Sequence, residues 1–251
     1  MLKKIMKVIR SSATVLLTIA LLFYVFQKVS FLTLVTLFSI TNTQPIFNAF
    51  LLTIPCILIK IYKSKLLSKE ISNKNPAKYE SLSFIDTVSE MWVAFFFVLL
   101  GGQKLLSGMY STIAIIIITA IFIFLYQFRH INKNITKIIP LVTWISWPLS
   151  NIILVLSFLS MALYLTQAYL LLSAFQTVAI STILAVFPIV LMVGLLPFTF
   201  GGLGLRELVA IYLLAQFGVS APVAVIVSIM LFVFDTLIPD VLWRGDAKAI
   251  R

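Results

Sequence analysis

One cysteine, one histidine and eight carboxylates are the whole stock of reactive or metal-ligating side chains in 251 residues. The lone Cys56 has no partner for a disulfide and lies inside an apolar run, where its expected role is packing. With a single histidine, His130, in a basic connector, there is no His/Asp/Glu cluster for a metal and no Ser-His-Asp set. No glycine-rich phosphate loop followed by Lys-Ser/Thr occurs either. The chain is therefore not expected to be an enzyme, and no cofactor is implied. Charge is scarce as well, at 11% of residues, where a soluble domain carries about a quarter.

What fills the space is hydrocarbon. At 61% apolar residues, a soluble core of this length would leave a large apolar surplus on its surface, so the surplus must face lipid. The net charge of +11 comes from short segments between apolar runs. That is the pattern of the positive-inside rule, and it argues against nucleic acid as a partner, since no aromatic-basic platform accompanies the charge. The expected location is the cell membrane.

The apolar runs predict a single transmembrane domain over 1–251, an all-α bundle of about six to eight spans. Spans are expected at 11–27, 45–62, 83–100, 109–127, 149–172, 178–196 and 221–243, with 205–217 short or re-entrant. The first run follows Lys3, Lys4, Lys7 and Arg10 like a signal peptide, but it is long and lacks a small-residue cleavage site, so it is expected to stay as a span. The stretch 29–41 is too short to cross and is expected at the interface. Residues 63–81, with Lys63, Lys65, Lys69, Lys74 and Lys78, read as a cytoplasmic loop or surface helix. Arg129, Lys133 and Lys137 form a second basic connector, and Arg244, Lys248 and Arg251 close the chain. With both termini and both connectors cytoplasmic, either four crossings follow residue 138, or two crossings and a re-entrant helix pair around 185–217. Trp92, Trp144, Trp147 and Trp243 suit interfacial anchoring.

Glycine is rare too, and three of the nine fall within four residues. The segment runs Leu196, Pro197, Phe198, Thr199, Phe200, Gly201, Gly202, Leu203, Gly204, Leu205, Arg206, Glu207. Pro197 removes a backbone donor and ends a helix. Gly201, Gly202 and Gly204 permit positive φ and close approach. A helix restarting near Leu205 aims its free N–H groups back into the loop, a local anion site reinforced by Arg206. Broken helices of this kind occur at transporter binding sites. The plainer alternative is a turn at the membrane surface with Arg206 and Glu207 in water.

This segment, followed by Phe217, Gly218, Val219 and Ser220, resembles the signature of the lysylphosphatidylglycerol synthase transmembrane region and its stand-alone flippase-like relatives. The likeness covers roughly residues 178–240. A first span, an interfacial stretch and a second span ending in a basic run are similar to the family's opening. The family's earlier proline-glycine-glutamate-arginine motif has no counterpart in this chain's first half, and the chain is short for the family. The resemblance implies lipid handling: moving or presenting an anionic lipid, either a phospholipid or a polyprenyl-phosphate-linked sugar. A glycosyltransferase or lipid-modifying enzyme is the implied protein partner.

The candidate headgroup site is Thr199, Gly201, Gly202, Gly204, Arg206 and Glu207, with Glu207 orienting Arg206 or pairing with a cationic substituent. Asp235, Asp86, Glu90 and Lys104 are the candidate polar partners. Asp235 lies within the last span, where a carboxylate needs a partner such as Arg206 or Lys104. Asp240 is expected at the interface. Asp86 and Glu90, four apart, share a helix face. They either bind a cation or meet Arg206, or are interfacial carboxylates facing water or Lys78. Lys104 either snorkels or meets a headgroup. Beside a flippase-like role stand two alternatives: a non-catalytic membrane scaffold for a glycosyltransferase or lipid synthase, and a membrane enzyme acting on a lipid-linked sugar.

Overall fold

The computed structural model of the chain describes residues 2–74, 80–101, 147–195, 199, 202–239 and 241. Every element among them is helical. In chain order they are α1 (Leu2–Lys28), α2 (Phe31–Ile40), α3 (Thr43–Leu51), α4 (Thr53–Lys74), α5 (Glu80–Gly101), α6 (Trp147–Phe175), α7 (Ile180–Leu195), α8 (Leu205–Ala215) and α9 (Ala221–Phe232). A π-helical turn, Val233–Leu237, continues α9. The expected span 109–127 lies outside the described residues.

Proline placement explains several starts. Pro45, Pro55, Pro148 and Pro222 each sit in the first turn of α3, α4, α6 and α9, where a missing N–H costs nothing. Asn42 adds a side-chain cap on α3, accepting from the Gln44 N–H at 3.1 Å. α1 and α2 are bent by 68°. The break is at Ser30, whose backbone is extended at φ −65° and ψ 132°.

Two helices are long and apolar enough to cross a membrane: Thr43–Ser68, which is α3 with most of α4, and Asn151–Phe175 within α6. Their 26 and 25 residues rise about 39 and 38 Å, beyond the roughly 30 Å hydrocarbon layer. The bent α1–α2 pair makes a third if taken as one span. Ser89–Gly101, Ile180–Leu195 and Ala221–Leu237 are apolar but shorter. Exposed Leu16, Ile19, Phe23, Val155 and Leu159 are the faces such a protein offers to lipid.

One expectation is corrected in the stretch after residue 62. The lysine-rich run is not a separate loop or surface helix up to Lys74; it is the continuation of α4 from the apolar span. Lysine favours helix well enough to carry it on without a break.

The contacts group the chain into two compact units. The first is Met1–Ile57 with Leu163–Arg251. Within it α8 packs against α7, α9 and α1. Val25 and Val29 of α1, Leu34 of α2, and Val225 and Ile226 of α9 form its core, with Leu208 and Ile211 of α8 against them. Phe38 meets Phe175, and Phe50 meets Phe234, edge to face. A polar knot sits nearby in sequence terms: Gln167 is fully buried and donates to the Ala49 carbonyl (3.1 Å) and the Thr53 hydroxyl (3.2 Å). The Cys56 thiol lies 4.0 Å from the Gln167 side-chain carbonyl. The knot stands where Pro55 loosens the α3–α4 junction, and it satisfies backbone that the break would expose.

The second unit is Leu58–Ala162. Leu67 of α4 packs with Leu149 and Ile153 of α6. Phe96 and Phe97 of α5 flank Phe158. The Ser89 and Ser157 hydroxyls meet at 2.9 Å, tying α5 to α6.

Candidate functional site

Between α7 and α8, Thr199 lies in a bend and residues 202–204 make a turn, as the glycine cluster predicts. Gly202 and Gly204 take φ of +81° and +84°, the region that side chains avoid. Space forbids a side chain there as well. A Cβ on Gly202 would lie 2.5 Å from the Gly194 Cα, and one on Gly204 would lie 2.6 Å from the Leu21 Cβ. The glycines therefore let the returning chain press against the end of α7 and against α1.

Glu207, the third residue of α8, folds back onto its own helix start. It accepts from the Gly204 N–H at 2.5 Å and from the Ser228 hydroxyl of α9 at 3.2 Å. Its own amide also engages the carboxylate. This is the carboxylate half of a capping box. Both oxygens of Glu207 are engaged in capping and in tying α8 to α9, and Arg206 acts on the carboxylate through its charge. The Gly204 N–H, expected bare, is already satisfied, so the helix terminus contributes less to an anion site than the sequence suggests.

Arg206 is what remains. It is 2% exposed. Its Cδ would lie 2.7 Å from a Cβ on Gly194 and 2.9 Å from one on Gly202, so both glycines make the slot for its stem. Nη2 donates to the Tyr164 hydroxyl of α6 at 3.4 Å, and the buried Nε has no hydrogen-bond partner. Thr199, also buried, has an unpartnered hydroxyl. Asp235 sits in the π turn and is 9% exposed. Its charge, with those of Arg206 and Glu207, acts on Tyr164. Of the two expected partners for Asp235, Arg206 thus shares a neighbour with it. Lys104, like Gly201 and Asp240, lies outside the described residues.

Asp86 and Glu90 do share a face of α5, and the cation they grip is Lys63 of α4, at 2.5 and 3.3 Å. Lys63 is fully buried. Of the expected surroundings, the cation is Lys63 rather than Arg206; the two carboxylates stay partly exposed, at 31% and 16%, and Lys78 lies outside the described residues. Nothing in a run of five lysines marks which one turns inward.

The sequence did not point to Tyr164, Gly194, Ser228 or Gln167. Gln167 and Ser228 carry a usable signal, a polar group inside an apolar run. Tyr164 and Gly194 carry none, because their partners are distant in sequence. Among the described residues no three His, Cys, Asp or Glu side chains are grouped to hold a metal ion. No protein-family model, curated protein or solved structure matches the chain.

Proposed function

We propose that the chain is a multi-pass membrane protein that binds an anionic lipid headgroup at Arg206 and translocates or presents that lipid. One observation carries this reading: a guanidinium 2% exposed, with its Nε unpartnered, beside a broken helix. Burying a cation is costly without a compensating anion. In a membrane protein such a residue marks a substrate path more often than a structural tie.

Helix lengths support the re-entrant arrangement. α7 and α8, of 16 and 11 residues, rise about 24 and 17 Å, short of the hydrocarbon layer. A pair that enters and returns around 196–204 accounts for both. The distribution of lysine and arginine supports cytoplasmic termini and a bundle of six to eight spans in the cell membrane. The resemblance of 196–207 to flippase-like proteins points to a phospholipid or a polyprenyl-phosphate-linked sugar as cargo.

The test is lipid translocation in vesicles containing the purified chain. Arg206→Gln keeps much of the side chain's bulk and removes its charge; the expected result is loss of most of the transport. An unchanged rate removes Arg206 from the function.

A further inference from the structure

Tyr164 is a buried phenol, 2% exposed, on the largely apolar helix α6. Its oxygen accepts from Arg206 Nη2. A phenol has a single proton, and with its lone pair turned to a guanidinium, the O–H points elsewhere. Nη2 flanks Nε along one edge of the guanidinium, so the phenol borders the edge that carries the unpartnered Nε–H. The charged groups acting on Tyr164 are Arg206, Glu207 and Asp235. Glu207 is engaged by Gly204 and Ser228. Two donors of different kinds thus stand together under cover, and buried donors require acceptors.

Resting on the reading of Arg206 as a headgroup site, we infer that Tyr164 is its specificity-determining residue: it donates its O–H to a phosphoryl oxygen held by Arg206 and thereby selects phosphate esters over carboxylates. The Nε and Nη2 edge takes two oxygens side by side. A carboxylate has only those two, and they lie in one plane. A phosphoryl group keeps further oxygens out of that plane, one of which meets the phenol. Phosphate on a lipid and free phosphate share this chemistry.

The experiment uses the full chain in a non-ionic detergent, titrated calorimetrically with dioctanoyl phosphatidic acid, inorganic phosphate and octanoate. For the wild type, the phosphatidic acid is expected to bind more tightly than octanoate. Tyr164→Phe is expected to weaken phosphatidic acid binding about tenfold or more, the loss of one hydrogen bond to a charged group, with octanoate affinity and thermal midpoint unchanged. Equal affinity of wild type and Tyr164→Phe for phosphatidic acid, with Arg206→Gln abolishing it, removes Tyr164 and leaves the Arg206 site standing. Binding of none of the probes by the wild type overturns both. Inorganic phosphate binding as tightly as phosphatidic acid sustains the role of Tyr164 and overturns the lipid as ligand. If the tyrosine serves only to hold Asp235, then Tyr164→Phe and Asp235→Asn will lower the thermal midpoint together and leave affinities untouched, which also overturns the inference.

Discussion

Among the described residues two cations are buried, and they are treated in opposite ways. Lys63 in the second unit is fully buried and has two carboxylates within 3.3 Å. Arg206 in the first unit is almost as deep, yet it donates to a neutral phenol at 3.4 Å and its Nε is unsatisfied. The carboxylate nearest to it in sequence, Glu207, is turned back onto its own helix. A cation whose charge is matched within the fold serves the fold. Arg206 feels the charge of Glu207 but keeps a donor, Nε, without an acceptor, which on the reading proposed above is kept for a ligand. The difference is therefore between a strut and, on the proposed reading, a receptor.

The largest expected effect breaks the strut. Lys63→Met leaves Asp86 and Glu90 side by side without their cation, and it should cost about 3–5 kcal/mol in thermal or denaturant unfolding in detergent. Adding Asp86→Asn and Glu90→Gln to the same chain should restore most of that. A loss below about 1 kcal/mol for the single change would show that the triad is not structural. Next comes the slot around Arg206. Gly202→Ala must place a Cβ 2.5 Å from the Gly194 backbone at positive φ, which should cost about 2–4 kcal/mol by the same measurement. Stability within about 0.5 kcal/mol of wild type would mean that the α7–α8 break is looser than its geometry.

Glu207→Gln tests the cap. The amide keeps an acceptor for one of the two donors, so the expected loss is about 1–2 kcal/mol. Amide exchange at Gly204 should rise with it; unaltered exchange there would remove Glu207 as the cap. The smallest change in stability is expected where the function is proposed. Arg206→Met fills the same slot with hydrocarbon and should shift unfolding by no more than about 1 kcal/mol, in either direction. Lipid translocation should nevertheless be lost. If Arg206→Met destabilises as strongly as Lys63→Met, the contrast between the two cations fails and Arg206 becomes a second strut.

How much of this was legible depended on how far each feature reached along the chain. Helices and apolar spans follow from local periodicity and run length, so α1, α6 and the α3–α4 span stand close to where the apolar runs place them. The helix break at 202–204 was legible from glycine and proline alone. Its cause was only half legible. Positive φ at Gly202 and Gly204 is a local property, but the need for bare backbone opposite Gly194 and Leu21 arises from chain segments 8 and 183 residues away (202 − 194 and 204 − 21). Glu207 read as a site residue because charge in an apolar chain draws attention, while the capping box, a local pattern, explains it better. Lys63 was hidden by its neighbours: four other lysines in the same stretch made it look like a solvated face.

The π turn at Val233–Leu237 has a consequence for how the gene tolerates change. The Ile238 N–H returns to the Val233 carbonyl, five residues back, so this turn holds one residue more than an α-turn. Elsewhere in the C-terminal helix, excising one codon would swivel everything downstream by about 100° and scramble its inner face. Here the surplus is already in place, and losing Thr236 would let the turn relax into ordinary α-helix. A deletion scan across 221–239 should find its permissive position in that turn, next to the buried carboxylate of Asp235.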